Sequence, residues 1–237
     1  RTLYDTGLRS PLIVRFPAGA LGGTEDEQLL SFLDLKPTIL SLAGIEPPDH
    51  LDGAAWLGPY ARVTPRQYLH AAADDFDGDS HGRLRAVRDK RYKYIRNYLP
   101  GKAYYNAVRY RTQMPAMREL LRMRENGALD SVQQLWFGTQ DNPEALYDTW
   151  EDPFEIENLA GDPGYAVKLR EFRAELQRWV RDTGDQGMQS EAAYLSSIWP
   201  DGQQPVTAPP TIEARPGGLR ISCSTDGAAL GYQWIAN

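Results

Sequence analysis

The sequence predicts an α/β protein: the closing elements of an α/β sheet, then a small antiparallel sheet packed on a C-terminal helix, then an incomplete β tail. Three observations lead there. Residues 12–44 run apolar segment, Gly-rich loop, apolar segment, helix. Residues 85–96 hold two alternating segments joined by a short turn, and Leu169, Phe172, Leu176, Trp179 and Val180 recur at helical spacing.

Leu12-Ile13-Val14 lies between Pro11 and Pro17. Prolines cannot join a ladder, so they bound a short buried strand. After the loop at 19–24, residues 29–33 are expected to form a second strand. Asp34 then caps a helix that admits Pro37 in its first turn, and Gly44 ends it in the left-handed conformation.

The texture changes near Leu69, where Tyr68-Leu69-His70-Ala71 reads as a strand. Arg85-Ala86-Val87-Arg88 and Tyr92-Lys93-Tyr94-Ile95-Arg96, joined through Asp89-Lys90-Arg91, predict an antiparallel hairpin with one wet face. Met117, Leu120 and Leu121 mark a helix that stops near Gly127, and Asp130 caps a second one carrying Val132, Leu135 and Trp136. Residues 144–147 are a third strand of the same small sheet, and the helix through 169–180 covers one of its faces. Residues 203–210, rich in Pro, Gln and Thr, have the composition of a linker. Residues 219–223 and 230–234 alternate around Asp226-Gly227, which predicts a hairpin opening a β module. The expected organisation is therefore a first region over 1–66, a small sheet-and-helix subdomain over 67–187, a linker over 188–210 and the β module over 211–237. No internal repeat is evident.

At 237 residues, 41% of them hydrophobic and 24% charged, the chain can bury a core. Its 26 basic and 32 acidic residues give a net charge of −6, which excludes a general nucleic-acid binder that needs a phosphate-neutralising basic face. Cys223 is the only cysteine, so no intrachain disulfide and no thiolate metal cluster can form. No apolar run approaches the roughly 20 residues of a membrane helix. Arg1-Thr2-Leu3-Tyr4-Asp5 lacks a signal peptide's charged head and apolar middle. There is no initial Met, and Trp234-Ile235-Ala236-Asn237 falls within an expected strand, so both ends are expected to lie inside a longer polypeptide.

No catalytic constellation emerges from the residues alone. His50, His70 and His81 are too far apart for a short metal-binding pair. Asp74-Asp75-Phe76-Asp77-Gly78-Asp79 alternates carboxylates around a glycine, yet a calcium loop needs a Glu six residues after that glycine and position 84 is Leu. It reads as a solvated acidic loop, or as the mouth of a pocket. The basic stretch Arg85, Arg88, Lys90, Arg91, Lys93 and Arg96 can grip a sulfate or carboxylate through arginine forks, or simply form the polar face of the hairpin. Asp148, Asp152-Pro153 and the acidic stretch up to Asn158 read as turn chemistry.

Four blocks in order resemble the sulfatase family of the alkaline-phosphatase-like superfamily. They are Leu3-Tyr4-Asp5-Thr6-Gly7-Leu8-Arg9-Ser10-Pro11-Leu12-Ile13-Val14; Asp34-Leu35-Lys36-Pro37-Thr38-Ile39-Leu40 with Ala43-Gly44 and Asp52-Gly53; the hairpin from Arg85 to Ile95; and Glu144-Ala145-Leu146-Tyr147-Asp148 with Asp152-Pro153 and Glu157-Asn158-Leu159-Ala160. They span residues 1 to about 183, and the nearest subgroup is the heparan N-sulfatase-like one; the tail resembles modules appended to carbohydrate-active enzymes.

The resemblance implies the end of a sulfatase-type α/β domain and a parent that hydrolyses sulfate esters or N-sulfates on a sulfated carbohydrate. It implies a formylglycine made from Cys/Ser-x-Pro-x-Arg beside a calcium ion, a periplasmic or secreted location, and the remaining N-terminal part of the same polypeptide as partner. The sequence contains no Cys/Ser-x-Pro-x-Arg motif. No catalytic or metal-binding residue of the family therefore maps onto this chain, which alone is expected to be inactive. The family's C-terminal loop approaches the active site, making Asp74, Asp75, Asp77, His81 and Arg85 the candidate substrate-binding residues; acidic residues there would disfavour highly anionic sugars. Two rivals stand: a phosphoryl or phosphonate hydrolase of the same superfamily, and a non-catalytic carbohydrate-binding or scaffold protein using aromatics such as Trp199.

Overall fold

The computed structural model describes residues 3–74, 82–101, 105, 109–138, 142–204 and 206–233, and the chain divides into two compact units, Arg1–Asp185 and Gln186–Asn237. In the first unit, helices α1 (Asp5–Leu8) and α2 (Leu35–Leu42) precede strands β1 (Leu69–Ala73), β2 (Leu84–Arg88) and β3 (Tyr92–Asn97). Helices α3 (Pro115–Glu125) and α4 (Ser131–Phe137), strand β4 (Glu144–Asp148) and helix α5 (Ala166–Asp182) follow.

The four strands form one antiparallel meander in the order β1-β2-β3-β4. Val87 pairs with His70 on one side and Tyr94 on the other, and Tyr94 with Leu146. The β2–β3 turn is closed by the Asp89 carboxylate, which accepts the N–H groups of Arg91 (2.8 Å) and Tyr92 (2.6 Å). That is the Asx chemistry by which aspartate favours turns.

Period-two alternation sends two residue sets to opposite faces. Val87, Tyr94 and Leu146 face α5, whose Leu169, Phe172 and Leu176 are buried against them at the expected helical spacing. Ala86, Ile95, Ala145 and Tyr147 face the other way and are covered by Leu3 and Tyr4 of the N-terminal segment. The hairpin thus has no wet face. Arg85 and Lys93 are 1% and 0% exposed, because alternation fixes which residues share a face but not what another element lays over it.

The outer edge of β4 is closed by one side chain. Asn158 Oδ1 accepts the Leu146 N–H at 3.0 Å and its Nδ2 donates to Glu144 O at 3.0 Å, so the amide stands where a fifth strand would bond.

Three expectations for the first 66 residues change. Leu12-Ile13-Val14 is extended but forms no strand, and Ile13 is 91% exposed, since no neighbouring strand among the described residues is there to pair with it. Residues 29–33 are likewise not a strand and lead into a 3₁₀ turn, Phe32–Asp34. The cap lies one turn earlier than Asp34: Ser31 and Asp34 form a capping box around that turn. Helix α2 forms as expected, and Gly44 closes it at φ 72°.

Apart from Pro37, the buried residues of α2 and its N-cap are polar. Asp34, Thr38 and Ser41 are all buried, and each accepts a backbone N–H from the following loop: Ala54 at 2.9 Å, Trp56 at 3.2 Å and Tyr60 at 3.0 Å. Gly53 permits this approach, because a Cβ there would fall 2.0 Å from Leu33 O. Ile39, Leu42 and Ile45 point outward and are exposed.

In the second unit, helix α6 (Glu191–Ile198) lies within the stretch expected to be linker, with Ser190 accepting the Ala193 N–H at its N-terminus. Strands β5 (Thr211–Arg215) and β6 (Gly218–Ser222) form a hairpin. The hairpin expected around Asp226-Gly227 is not formed among the described residues; residues 219–222 pair backwards with 211–215 instead. The Pro216-Gly217 turn decides it, with proline presetting one φ and Gly217 adopting φ 90°.

Candidate functional site

In this meander the end of β1, the start of β2, the end of β3 and the start of β4 lie at one end of the sheet. The acidic β1–β2 connection and the long β3–β4 insertion, residues 98–143, both leave from there. The insertion holds six Lys or Arg, four Asp or Glu and six aromatic residues, a positive excess in a chain of net charge −6. Arg111 lies 5.8 Å over the Trp136 ring and Arg124 lies 5.1 Å over Phe137, cation–π contacts that hold its arginines against its aromatics.

Arg85 is the centre of this end. Its Nε donates to Asp185 Oδ2 (2.5 Å), its Nη1 to Asp74 Oδ1 (2.6 Å) and to Leu84 O (2.8 Å), and its Nη2 to Asp185 Oδ1 (2.9 Å) and Asp74 Oδ2 (3.1 Å). These five bonds match the five donors a guanidinium has. Burial works against the charge, but the bonds to Asp185 and Asp74 outweigh it and hold the Arg85 pKa above the ordinary arginine value. Arg85 is therefore not a free fork for a sugar sulfate. Of the other candidate residues, Asp74 is its partner, while Asp75, Asp77 and His81 lie outside the described residues.

The remaining arginines of the hairpin are also engaged. Arg88 grips Asp5 through two 2.8 Å bonds, Arg91 bonds Asp148 at 2.6 Å, and Arg96 stands 3.2 Å from Glu144. Lys90 is exposed. His70 stacks on Trp179 with ring centroids 5.1 Å apart and bonds Glu175 at 3.0 Å, so it ties β1 to α5. Burial pushes the His70 pKa down, against the pull of Glu175. His50 sits in an exposed turn.

A second charged cluster, invisible as such in the sequence, fastens the N-terminal segment to the opposite face. Lys93 Nζ reaches Asp5 Oδ1 at 2.6 Å, Leu3 O at 3.0 Å and the carboxylate of Glu155. Glu155 in turn accepts the Asp5 N–H at 2.6 Å, and holds φ 57°, a left-handed backbone uncommon outside glycine. Burial pushes the Glu155 pKa up despite Lys93; for Asp5 burial acts the same way, but Lys93 and Arg88 prevail and hold it below the usual carboxylate value. The partners are 62 to 150 residues apart in the chain, which is why no local pattern announced them.

Among the described residues no three His, Cys, Asp or Glu side chains form a group that could hold a metal ion. No helix among the described residues is long and apolar enough to cross a membrane.

These features define a mixed α/β protein whose antiparallel sheet sends two connections from one end and is locked to its N-terminal segment by buried charge. Comparison with known proteins then places it. Residues 1–109 match the family model described as N-sulphoglucosamine sulphohydrolase, C-terminal. An ulvan-active sulfatase of Formosa agariphila is 44% identical over 236 residues, 99% of this chain and 39% of the relative. The human N-sulphoglucosamine sulphohydrolase is 28% identical over 200 residues, 77% of this chain and 38% of the relative. The solved structure of a 2-O GAG sulfatase superposes with a TM-score of 0.46 at 25% identity, covering 68% of this chain and 27% of that one. The chain belongs to the sulfatase family, with its likeness in the family's C-terminal region, and it spans less than two fifths of the length of either relative.

Proposed function

We propose that this chain is the C-terminal, substrate-shaping part of a hydrolase that removes sulfate from a sulfated carbohydrate, as an ester or an N-sulfate. The observation that carries the reading is the 44% identity to an ulvan-active sulfatase over 99% of this chain. The composition of the β3–β4 insertion supports it. Guanidinium groups pair with sulfate in two parallel bonds, and aromatic rings offer flat apolar surface to a sugar.

In this reading the formylglycine nucleophile and the calcium ion belong to polypeptide outside these 237 residues. The rest of the polypeptide also covers the apolar side of α2 and the extended Leu12-Ile13-Val14, which this chain leaves exposed. The ulvan-active relative is more than twice as long as the stretch it shares with this chain, so a partner of sufficient size is at hand. A secreted or periplasmic enzyme fits a polymeric sulfated substrate.

The test is sulfate release by the full-length protein from ulvan and N-sulfated glucosamine saccharides, followed by ion chromatography with and without calcium. Calcium-dependent release supports the proposal. Release of phosphate or phosphonate from control esters, with none of sulfate, would move the protein to the phosphoryl-transfer branch of the superfamily. Saccharide binding without any release would leave a carbohydrate-binding protein.

A further inference from the structure

Three arginines come together at the end of the sheet from which the insertion departs. Arg85 and Arg96 are direct cross-strand partners, and Glu144 stands opposite Arg96 on β4, so these side chains share the face that α5 covers. Arg173 of α5 reaches the same place: its Nε donates to Glu144 Oε1 at 2.6 Å and its Nη2 bonds Oε2. Like charges directly opposite on neighbouring strands are destabilising, so each arginine needs a counter-charge. They are provided for unequally. Arg85 has Asp74 and Asp185 to itself. Arg96 and Arg173 share Glu144, with Arg96 Nη1 3.2 Å from the same Oε1 that also accepts the Tyr94 hydroxyl at 2.5 Å.

The charge left over around Glu144 is therefore positive, while the Arg85 group is left negative. Both guanidinium groups at Glu144 are open to a ligand. Arg173 has 42% of its side chain exposed and Arg96 36%, against 13% for the carboxylate between them. Arg173 keeps Nη1 unused, and Arg96 makes no other hydrogen bond or ion pair among the described residues, which leaves its Nε and Nη2. A guanidinium carries five donors in a planar fork, and an oxyanion takes them in parallel pairs. The Arg96 fork lies over the Tyr98 ring, 5.7 Å from its centre, so it is oriented before any ligand arrives.

We propose that Arg96 and Arg173 form an oxyanion-binding subsite at the foot of the β3–β4 insertion, taking a sulfate or carboxylate group of a sugar. The oxyanion follows from the two guanidinium groups and their unused donors. That a sugar carries it rests on the sulfatase reading above. Surface ion pairs of this exposure contribute about 0–1 kcal/mol to stability, so the arginines can be changed one at a time without unfolding the sheet. Glu144 is the competitor for the same forks, which gives the subsite a variant of opposite sign.

The test is equilibrium binding to the full-length protein of a heparin tetrasaccharide and of the same tetrasaccharide stripped of sulfate but keeping its carboxylates. Arg96→Gln and Arg173→Gln should each weaken binding about tenfold. Lys90→Gln, which removes an exposed charge from the β2–β3 turn at the other end of the hairpin, should stay within about twofold of wild type. Glu144→Gln keeps an acceptor oxygen and removes the competing charge, so it should bind at least as tightly as wild type. A loss confined to the sulfated probe assigns the subsite to sulfate, and an equal loss on both assigns it to carboxylate; either supports the proposal. Equal weakening by Lys90→Gln would show general charge attraction, and weakening by Glu144→Gln to the level of the arginine variants would show pairs that serve structure alone. Each of these overturns the proposal, as do unchanged binding in both arginine variants and no binding of either probe by the wild type. Sulfate release is scored separately on the wild type: no release, with binding that depends on both arginines, removes the sulfatase reading and leaves the subsite standing.

Discussion

Lys93 Nζ stands 2.6 Å from Asp5 Oδ1 across 88 residues of sequence, and Lys93 is wholly buried. This bond, with the reach of Glu155 to the Asp5 N–H, fastens the N-terminal segment to the sheet face that α5 leaves uncovered. Replacing Lys93 by methionine keeps the volume, strands the Glu155 carboxylate in the interior and leaves Asp5 with Arg88 as its one charged partner in this cluster. The expected loss is about 3–5 kcal/mol, read by urea unfolding. A loss below about 1 kcal/mol would mean that the cluster is solvated and does not lock the segment.

The carboxylates of this unit should pull stability in opposite directions as pH changes. Asp5 and Asp34 titrate below their ordinary value of 3.8: in each case burial opposes the shift, but Lys93 and Arg88, or Arg66 and the Ala54 and Ser31 N–H groups, overcome it. Their contribution is complete above 3.8 and is lost as pH falls from there through their folded values. Glu155 titrates above its ordinary 4.5 because burial prevails. Its folded form holds the proton more tightly than the unfolded chain, so its contribution is present below 4.5 and is lost as pH rises through its folded value. Urea unfolding of wild type and Glu155→Gln as a function of pH should show the same acid loss in both, with the decline above 4.5 reduced only in the variant. Identical curves would contradict the assignment.

Gly53 should tolerate no side chain. A Cβ at this position would lie 2.0 Å from Leu33 O and 2.8 Å from Asp34 N, both backbone atoms that cannot swing aside. Gly53→Ala is expected to cost about 1–3 kcal/mol by overpacking, whereas Gly127→Ala, with φ 64° but open space around it, tests backbone strain alone. Thermal unfolding separates them. A Gly53→Ala protein as stable as wild type would show that the loop 53–60 does not dock on α2.

The outward side of α2 should behave differently in two contexts. Ile39 is 65% exposed here while the polar stripe of the same helix is buried. Ile39→Lys should raise the solubility of the 237-residue chain, where that side faces water. In the full-length protein it should lower Tm, where the proposed partner surface covers it. A substitution neutral in both would mean that nothing docks there.

Much of the small subdomain was legible because periodicity and caps speak locally. Phe172 and Leu176 announce α5, Asp130 announces the cap of α4, and the alternation through Ala86, Val87, Tyr94 and Ile95 announces the hairpin. What failed depends on distant partners. Leu12-Ile13-Val14 has strand chemistry but, among the described residues, no neighbour to bond. Arg85 and Lys93 lie on opposite faces of the hairpin, and Asp185 and Asp5, far along the chain, hold them inside. In α2 the buried residues are Pro37, Thr38 and Ser41, and apolar content alone did not say which side of the helix would be covered. In the tail, residues 219–223 alternate equally well toward either neighbour, and only the Pro216-Gly217 turn selects 211–215.

The central claim is that this chain shapes the substrate site of a sulfatase without supplying its nucleophile. The most direct measurement is sulfate release from a sulfated polysaccharide by three samples: the 237-residue chain, the remaining N-terminal part of the full-length protein, and the two co-expressed. Release only from the co-expressed pair is the predicted result. Release by the 237-residue chain alone, or full activity of the N-terminal part without it, would contradict the account.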